Sequence, residues 1–159
     1  MTIAAEAQAQ QAAGGEVRCT GDIPHLSEEQ LAMLPFDLYR DGYRYYYEDY
    51  AHPRSTGRYT VASLAKLMAW DATDRMDLLN QPLLMIAGSV TDTRYMTENA
   101  YVKATAAASK QLLLIKGASH ICIYFVSEYV GQIVAATSEF FTQQLAHAAC
   151  FVFGNRPRE

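Results

Sequence analysis

The sequence predicts an α/β fold with a short parallel sheet, and three features carry that prediction. Two continuous apolar runs, Leu83–Gly88 and Leu112–Gly117, each close on a glycine. Between them lies a helical pattern in Met96, Ala100, Ala104 and Ala107 or Ala108. A long amphipathic stretch follows from Val126. Uninterrupted apolar strands mark a parallel sheet covered on both faces, and strand–helix–strand crossovers are almost always right-handed. At 159 residues, half of them apolar and 19% charged, the chain suits one globular domain.

The elements follow in chain order. Residues 1–15 are rich in Ala and Gln, which favour helix, and Gly14-Gly15 would stop it; a frayed end is the alternative. Val17–Thr20 is a short, weak strand candidate. Ser27 and Gln30 have capping-box spacing, with Glu28 and Glu29 in the first turn of a helix that ends before Pro35. Phe36, Tyr39, Tyr43, Tyr46, Tyr47 and Tyr50 then share one helical face, broken at His52-Pro53. That stripe reads either as an aromatic wall of a ligand pocket, with Tyr43, Tyr46 and Tyr47 against substrate, or as a packing face. Val61, Leu64, Ala65 and Met68 form a further helical stripe running to Trp70. Asp71, Asp74 and Asp77 sit three apart without the Gly and Glu of a calcium loop, and read as caps and solvated loop residues. In the last helix, Val126, Tyr129, Val130, Ile133, Val134, Thr137, Phe140, Phe141 and Leu145 mark the buried face, with Ser127 near the cap.

Composition excludes several classes. The net charge of −4 lacks the clustered cations that phosphate binding needs, so no nucleic-acid partner is expected. No apolar run is long enough to span a bilayer. Met1–Gln11 has no Lys, Arg or apolar core, so no secretory leader is expected. Cys19, Cys122 and Cys150 are an odd set without CxxC spacing, which suggests reduced thiols and a cytoplasmic setting. Residues 1–80 hold 12 acids and 7 bases, and residues 81–159 hold 5 acids and 6 bases. The halves therefore differ in character: a helical, Tyr-rich, cap-like segment over 1–78 and a βαβα segment over 79–159. Two strands make an incomplete core, so either the cap-like first half folds over it or a second copy or companion chain completes the sheet.

In open parallel sheets the chemistry sits beyond the carboxyl ends of the strands. Those ends carry Asp92 and His120. If the strands are neighbours, Asp92 can accept a hydrogen bond from one imidazole nitrogen and leave the other as a general base. Asp92 as a helix cap and His120 as a turn residue are the structural alternatives. Cys122 lies too close to His120 in sequence to serve as its nucleophile. Asp92, His120 and Cys122 lack a fourth metal ligand, so neither a metal nor another cofactor is expected.

The stretch Pro-Leu-Leu-Met-Ile-Ala-Gly-Ser-x-x-Asp-Thr to Gly-Ala-Ser-His-Ile-x-x-Tyr, over residues 82–124, resembles the C-terminal part of the α/β-hydrolase fold. The likeness is to dienelactone-hydrolase-like enzymes, with their esterase-type and fungal polyketide-transferase relatives. Leu38-Tyr39-Arg40-Asp41-Gly42-Tyr43 and Ser63-Leu64-x-x-Leu-x-x-Trp70-Asp71-Ala72 resemble the helical insert before the penultimate strand. The resemblance implies a partial α/β-hydrolase acting on a small acyl ester or thioester, with Asp92 as triad acid and His120 as triad base. The order in that fold is Ser, acid, His, with the serine in a G-x-S-x-G elbow. No G-x-S-x-G occurs in these 159 residues. That leaves a truncated hydrolase, one half of a split enzyme whose companion chain supplies the serine, a non-catalytic binding or scaffold protein, or a fragment that folds poorly.

Overall fold

The computed structural model describes residues 2–153, with side chains through residue 146. It holds two compact units. One comprises the chain up to Leu34 together with Tyr43–Asp74; the other comprises Pro35–Gly42 and the chain from Arg75. The division therefore differs from a simple cut at residue 78, because Pro35–Gly42 groups with the later residues.

In the first unit, helix α1 (Thr2–Ala12) ends where the glycine pair predicts. Gly14 has φ +80°, its N–H donates to the Gln11 carbonyl, and the Gly15 N–H reaches back to the Gln10 carbonyl. These two bonds satisfy carbonyls that the helix end leaves open. Helix α2 (Glu28–Ala32) starts on the predicted capping box: Ser27 Oγ accepts from the Gln30 N–H, and Gln30 Oε1 accepts from the Ser27 N–H. Its Leu31 is fully buried.

Helix α3 (Asp37–Tyr43) runs into a π-helical turn at Arg44–Asp49, where the Tyr50 N–H donates to the Tyr45 carbonyl. The wider period breaks the single stripe that a 3.6-residue repeat predicts. Tyr43 is buried, Tyr45 and Tyr47 are half-buried, and Tyr39, Tyr46 and Tyr50 are exposed. The Val17–Thr20 strand candidate contracts to one antiparallel bridge between Cys19 and Thr60. A 3₁₀ turn at Val61–Ser63 then leads into α4 (Leu64–Ala69), and α1 packs on that turn. Val61 faces inward, but Met68 within α4 and Trp70 at its C-cap are exposed. Asp71 closes a loop on Thr73, accepting from both its N–H and its hydroxyl.

The second unit carries the sheet. Strand β1 (Leu83–Gly88) pairs in parallel with β2 (Lys110–Ile115), in register from Leu83↔Lys110 to Gly88↔Ile115. β2 starts two residues before the predicted run. Gly117, with φ +76°, lies beyond it in a turn. Helix α5 (Arg94–Lys103) makes the crossover and buries Ala100, with Ala104 buried at its C-cap. Ala107 and Ala108 fall after its end, and the Ala108 N–H donates to the Asn80 carbonyl. A short α6 (Cys122–Phe125) precedes the long α7 (Ser127–Phe153). α7 turns Tyr129, Val130, Ile133, Thr137 and Phe140 inward, whereas Val134, Phe141 and Leu145 are exposed. Ala87, Ile115, Ala118 and Ile121 complete the buried core of this unit. Among the described residues the sheet has two strands, a short parallel core within mixed α/β content. No described helix is long and apolar enough to cross a membrane.

Candidate functional site

Both loops that carry the predicted residues leave the carboxyl ends of the parallel pair, and they are bonded to each other. The Ser89 N–H donates to the Ile115 carbonyl at 2.9 Å, the Val90 N–H to the Ala118 carbonyl at 3.2 Å, and the Gly117 N–H to Ser89 Oγ at 2.9 Å. Gly88 makes this approach feasible, since a Cβ there would collide with the Ala118 carbonyl oxygen.

His120 is held at both ring nitrogens. Nδ1 lies 2.9 Å from Thr93 Oγ1, which is 3.0 Å from Thr91 Oγ1. Nε2 lies 2.8 Å from the Tyr124 hydroxyl. The two rings also meet edge-on, with centroids 5.6 Å apart. The line of groups is therefore Thr91, Thr93, His120, Tyr124.

Asp92 is placed differently from the expected acid–histidine bond. Its Oδ2 accepts from the Leu38 N–H at 3.2 Å, and its Oδ1 is buried without a hydrogen-bond partner. The direct Asp92–His120 hydrogen bond is thus corrected: Thr93, the next residue, occupies Nδ1. The physical reason is that Leu38 lies in the first turn of α3, where backbone N–H groups have no intrahelical acceptor. Asp92 does act as a helix cap, but for α3 rather than for α5. The two predicted residues share one edge of the sheet and one pair of loops, one residue out of direct contact.

Beside His120 lies a cavity of about 230 Å³, walled by Leu38, Ile86, Met96, Thr97 and Ile123 as well as the imidazole. The lining is mostly apolar, and His120 is its one side chain able to change charge. The two serines at this edge are engaged elsewhere: Ser89 Oγ accepts from Gly117, and Ser119 Oγ donates to Asp41 Oδ2 at 2.9 Å. Cys122 is a half-buried free thiol at the start of α6. Among the described residues no cluster of three His, Cys, Asp or Glu could hold a metal ion. Cys150 lies beyond the described side chains.

The tyrosines named for substrate belong to the first unit. Tyr43 accepts the Leu26 N–H on its hydroxyl at 2.9 Å and packs on Tyr47, with ring centroids 5.4 Å apart. The Tyr47 hydroxyl sits where a side chain on Gly57 would go. Tyr46 is exposed, edge-on to Tyr45. Thr93 and Tyr124 received no role from the sequence, although both sit inside the motifs that pointed to the site. The available signal was spacing: Thr93 adjoins the acid, and Tyr124 follows the histidine by one helical turn.

No family model matches the chain. It is 27% identical over 125 residues to the uncharacterized protein YcjY of Escherichia coli, an alignment covering 77% of this chain and 40% of that protein. It is 32% identical over 91 residues to the uncharacterized protein PA2218 of Pseudomonas aeruginosa, covering 50% of this chain and 23% of that protein. The crystal structure of the hypothetical protein PA2218 matches 90% of this chain and 44% of that one, with a TM-score of 0.66 at 24% sequence identity. That likeness is one of fold, and the chain spans well under half the length of the curated relatives it matches.

Proposed function

We propose that this chain is the acid–histidine portion of an α/β-hydrolase-type enzyme, a hydrolase or acyltransferase acting on a small acyl ester or thioester. The observation that supports this reading best is the setting of His120. It stands at the carboxyl edge of a parallel strand pair, with both ring nitrogens hydrogen-bonded, beside a small apolar cavity. A base in that position takes the proton of an attacking hydroxyl and returns it to the leaving alcohol or thiol. One oxygen of Asp92, the residue next to Thr93, is buried at this edge without a hydrogen-bond partner. The nucleophile of such an enzyme, in a G-x-S-x-G elbow, is supplied from outside these 159 residues. The free thiols of Cys19 and Cys122 suit a reducing cytoplasm. The exposed run Leu67, Met68 and Trp70 favours a second reading, a non-catalytic binding protein.

Turnover of 4-nitrophenyl acetate and butyrate tests the proposal. The folded chain alone should give no His120-dependent turnover, because loss of the serine lowers the rate on the order of 10⁶-fold in a serine protease. Mixed with a polypeptide carrying the elbow, it should turn over ester, and His120→Ala should abolish that activity. Turnover by the chain alone that His120→Ala abolishes would place a nucleophile within these residues and overturn the need for an outside serine. No turnover in either setting would favour the binding protein.

A further inference from the structure

Taking His120 as the base proposed above, we infer that Tyr124 is its positioning residue: the phenol holds the imidazole in one neutral tautomer, with the proton on Nδ1 and the lone pair on Nε2, and turns aside when a hydroxyl nucleophile arrives.

Two observations carry this. First, the groups form a continuous line whose protons must all run one way. If the phenol donates to Nε2, then Nδ1–H donates to Thr93 Oγ1, and the Thr93 hydroxyl donates to Thr91 Oγ1. A phenol O–H is a better donor than a neutral imidazole N–H, and the unprotonated ring nitrogen is a better acceptor than a phenol oxygen. Second, Thr91 Oγ1 already accepts from the Thr93 backbone N–H at 3.4 Å, so it behaves as the accepting end of the line. The tautomer so held is the one a base needs before it receives a proton on Nε2.

The phenol can also leave. Tyr124 is 44% exposed and sits on the four-residue α6, so its hydroxyl can exchange His120 for water without becoming a buried, unsatisfied donor. Thr93, by contrast, is half-buried, and its hydroxyl is bonded on both sides. One side of the imidazole is therefore a fixed seat and the other a movable cap.

Long-range ¹⁵N–¹H correlation spectra of the histidine rings, followed through a pH titration of the full chain, test the inference. At the neutral end, wild-type His120 should show a single tautomer protonated on Nδ1. Tyr124→Phe should give a mixture of tautomers and faster carbethoxylation of His120 by diethyl pyrocarbonate, because Nε2 is uncovered. Thr93→Ser should keep the wild-type pattern, and Thr93→Val should lose it from the other side of the ring. A wild-type ring protonated on Nε2 would overturn the inference. So would an unchanged ring spectrum in a Tyr124→Phe chain with native circular dichroism. None of these signals depends on ester turnover, so their failure and that of the hydrolase reading are separable.

Discussion

Gly88 shows how much of the site depends on one missing side chain. Its backbone lies against the Ala118 carbonyl, so the loop bearing His120 can close on the loop bearing Asp92. Gly88→Ala should destabilise the chain by about 2 kcal/mol, the scale of overpacking in a tight interior, as read by urea denaturation. It should also displace His120 from Thr93, visible as a changed imidazole spectrum. Asp92 gives a contrasting test. Asp92→Asn can still accept from Leu38 through its amide oxygen, and its NH₂ replaces an oxygen that has no partner. Stability should stay within about 1 kcal/mol of wild type. Urea denaturation of that variant beside wild type reads the difference. The placement of Asp92 and His120 on the strand ends was legible from sequence, because glycine-ended apolar runs locate those ends. The choice of Thr93 over Asp92 as the imidazole's partner was not, because it depends on an α3 backbone N–H 54 residues away in sequence.

Among the elements, α7 best separates what a pattern reveals from what it hides. Its apolar positions predict one broad buried face, yet Phe140 is 6% exposed and its neighbour Phe141 is 54% exposed. Phe140→Ala should therefore cost about 3–4 kcal/mol by cavity formation. Phe141→Ala should stay within about 0.5 kcal/mol, and thermal denaturation of the pair tests the contrast. Periodicity reports which residues are apolar; it does not report how much surface the neighbouring elements can cover. The same limit applies to the tyrosine stripe. A period of 3.6 was the natural expectation from Phe36 to Tyr50, and the π turn at Arg44–Asp49 changes that period partway along. The capping box at Ser27 and the glycine stop at Gly14 were fully legible, since both are set by local backbone hydrogen bonds. Ser27→Ala should accordingly cost about 1 kcal/mol.

For the whole molecule, two parallel strands are a small sheet, and both of them are largely half-buried. Sheets this narrow depend heavily on the helices packed against them. With Val134, Phe141 and Leu145 also exposed on α7, the isolated chain should bind a hydrophobic dye and self-associate as concentration rises. Light scattering across a dilution series checks the second outcome, and a strictly monomeric chain would refute it. The α/β class was legible because strand–helix–strand order leaves few arrangements. The grouping of Pro35–Gly42 with the later unit was not, because nothing local to that segment encodes a distant neighbour.

The strand register also has a consequence in time. Each paired residue on β2 lies 27 positions after its partner on β1, as in Leu83↔Lys110. Helices form from near neighbours, whereas this pairing must first close a long loop. The Thr93–His120 contact spans the same interval of chain and has no local route to assembly. In a pulse-labelled refolding experiment, the α5 amides should become protected before those of Ser89, Val90 and Gly117. A chain that stalls partway would then be rich in helix yet have no assembled imidazole seat.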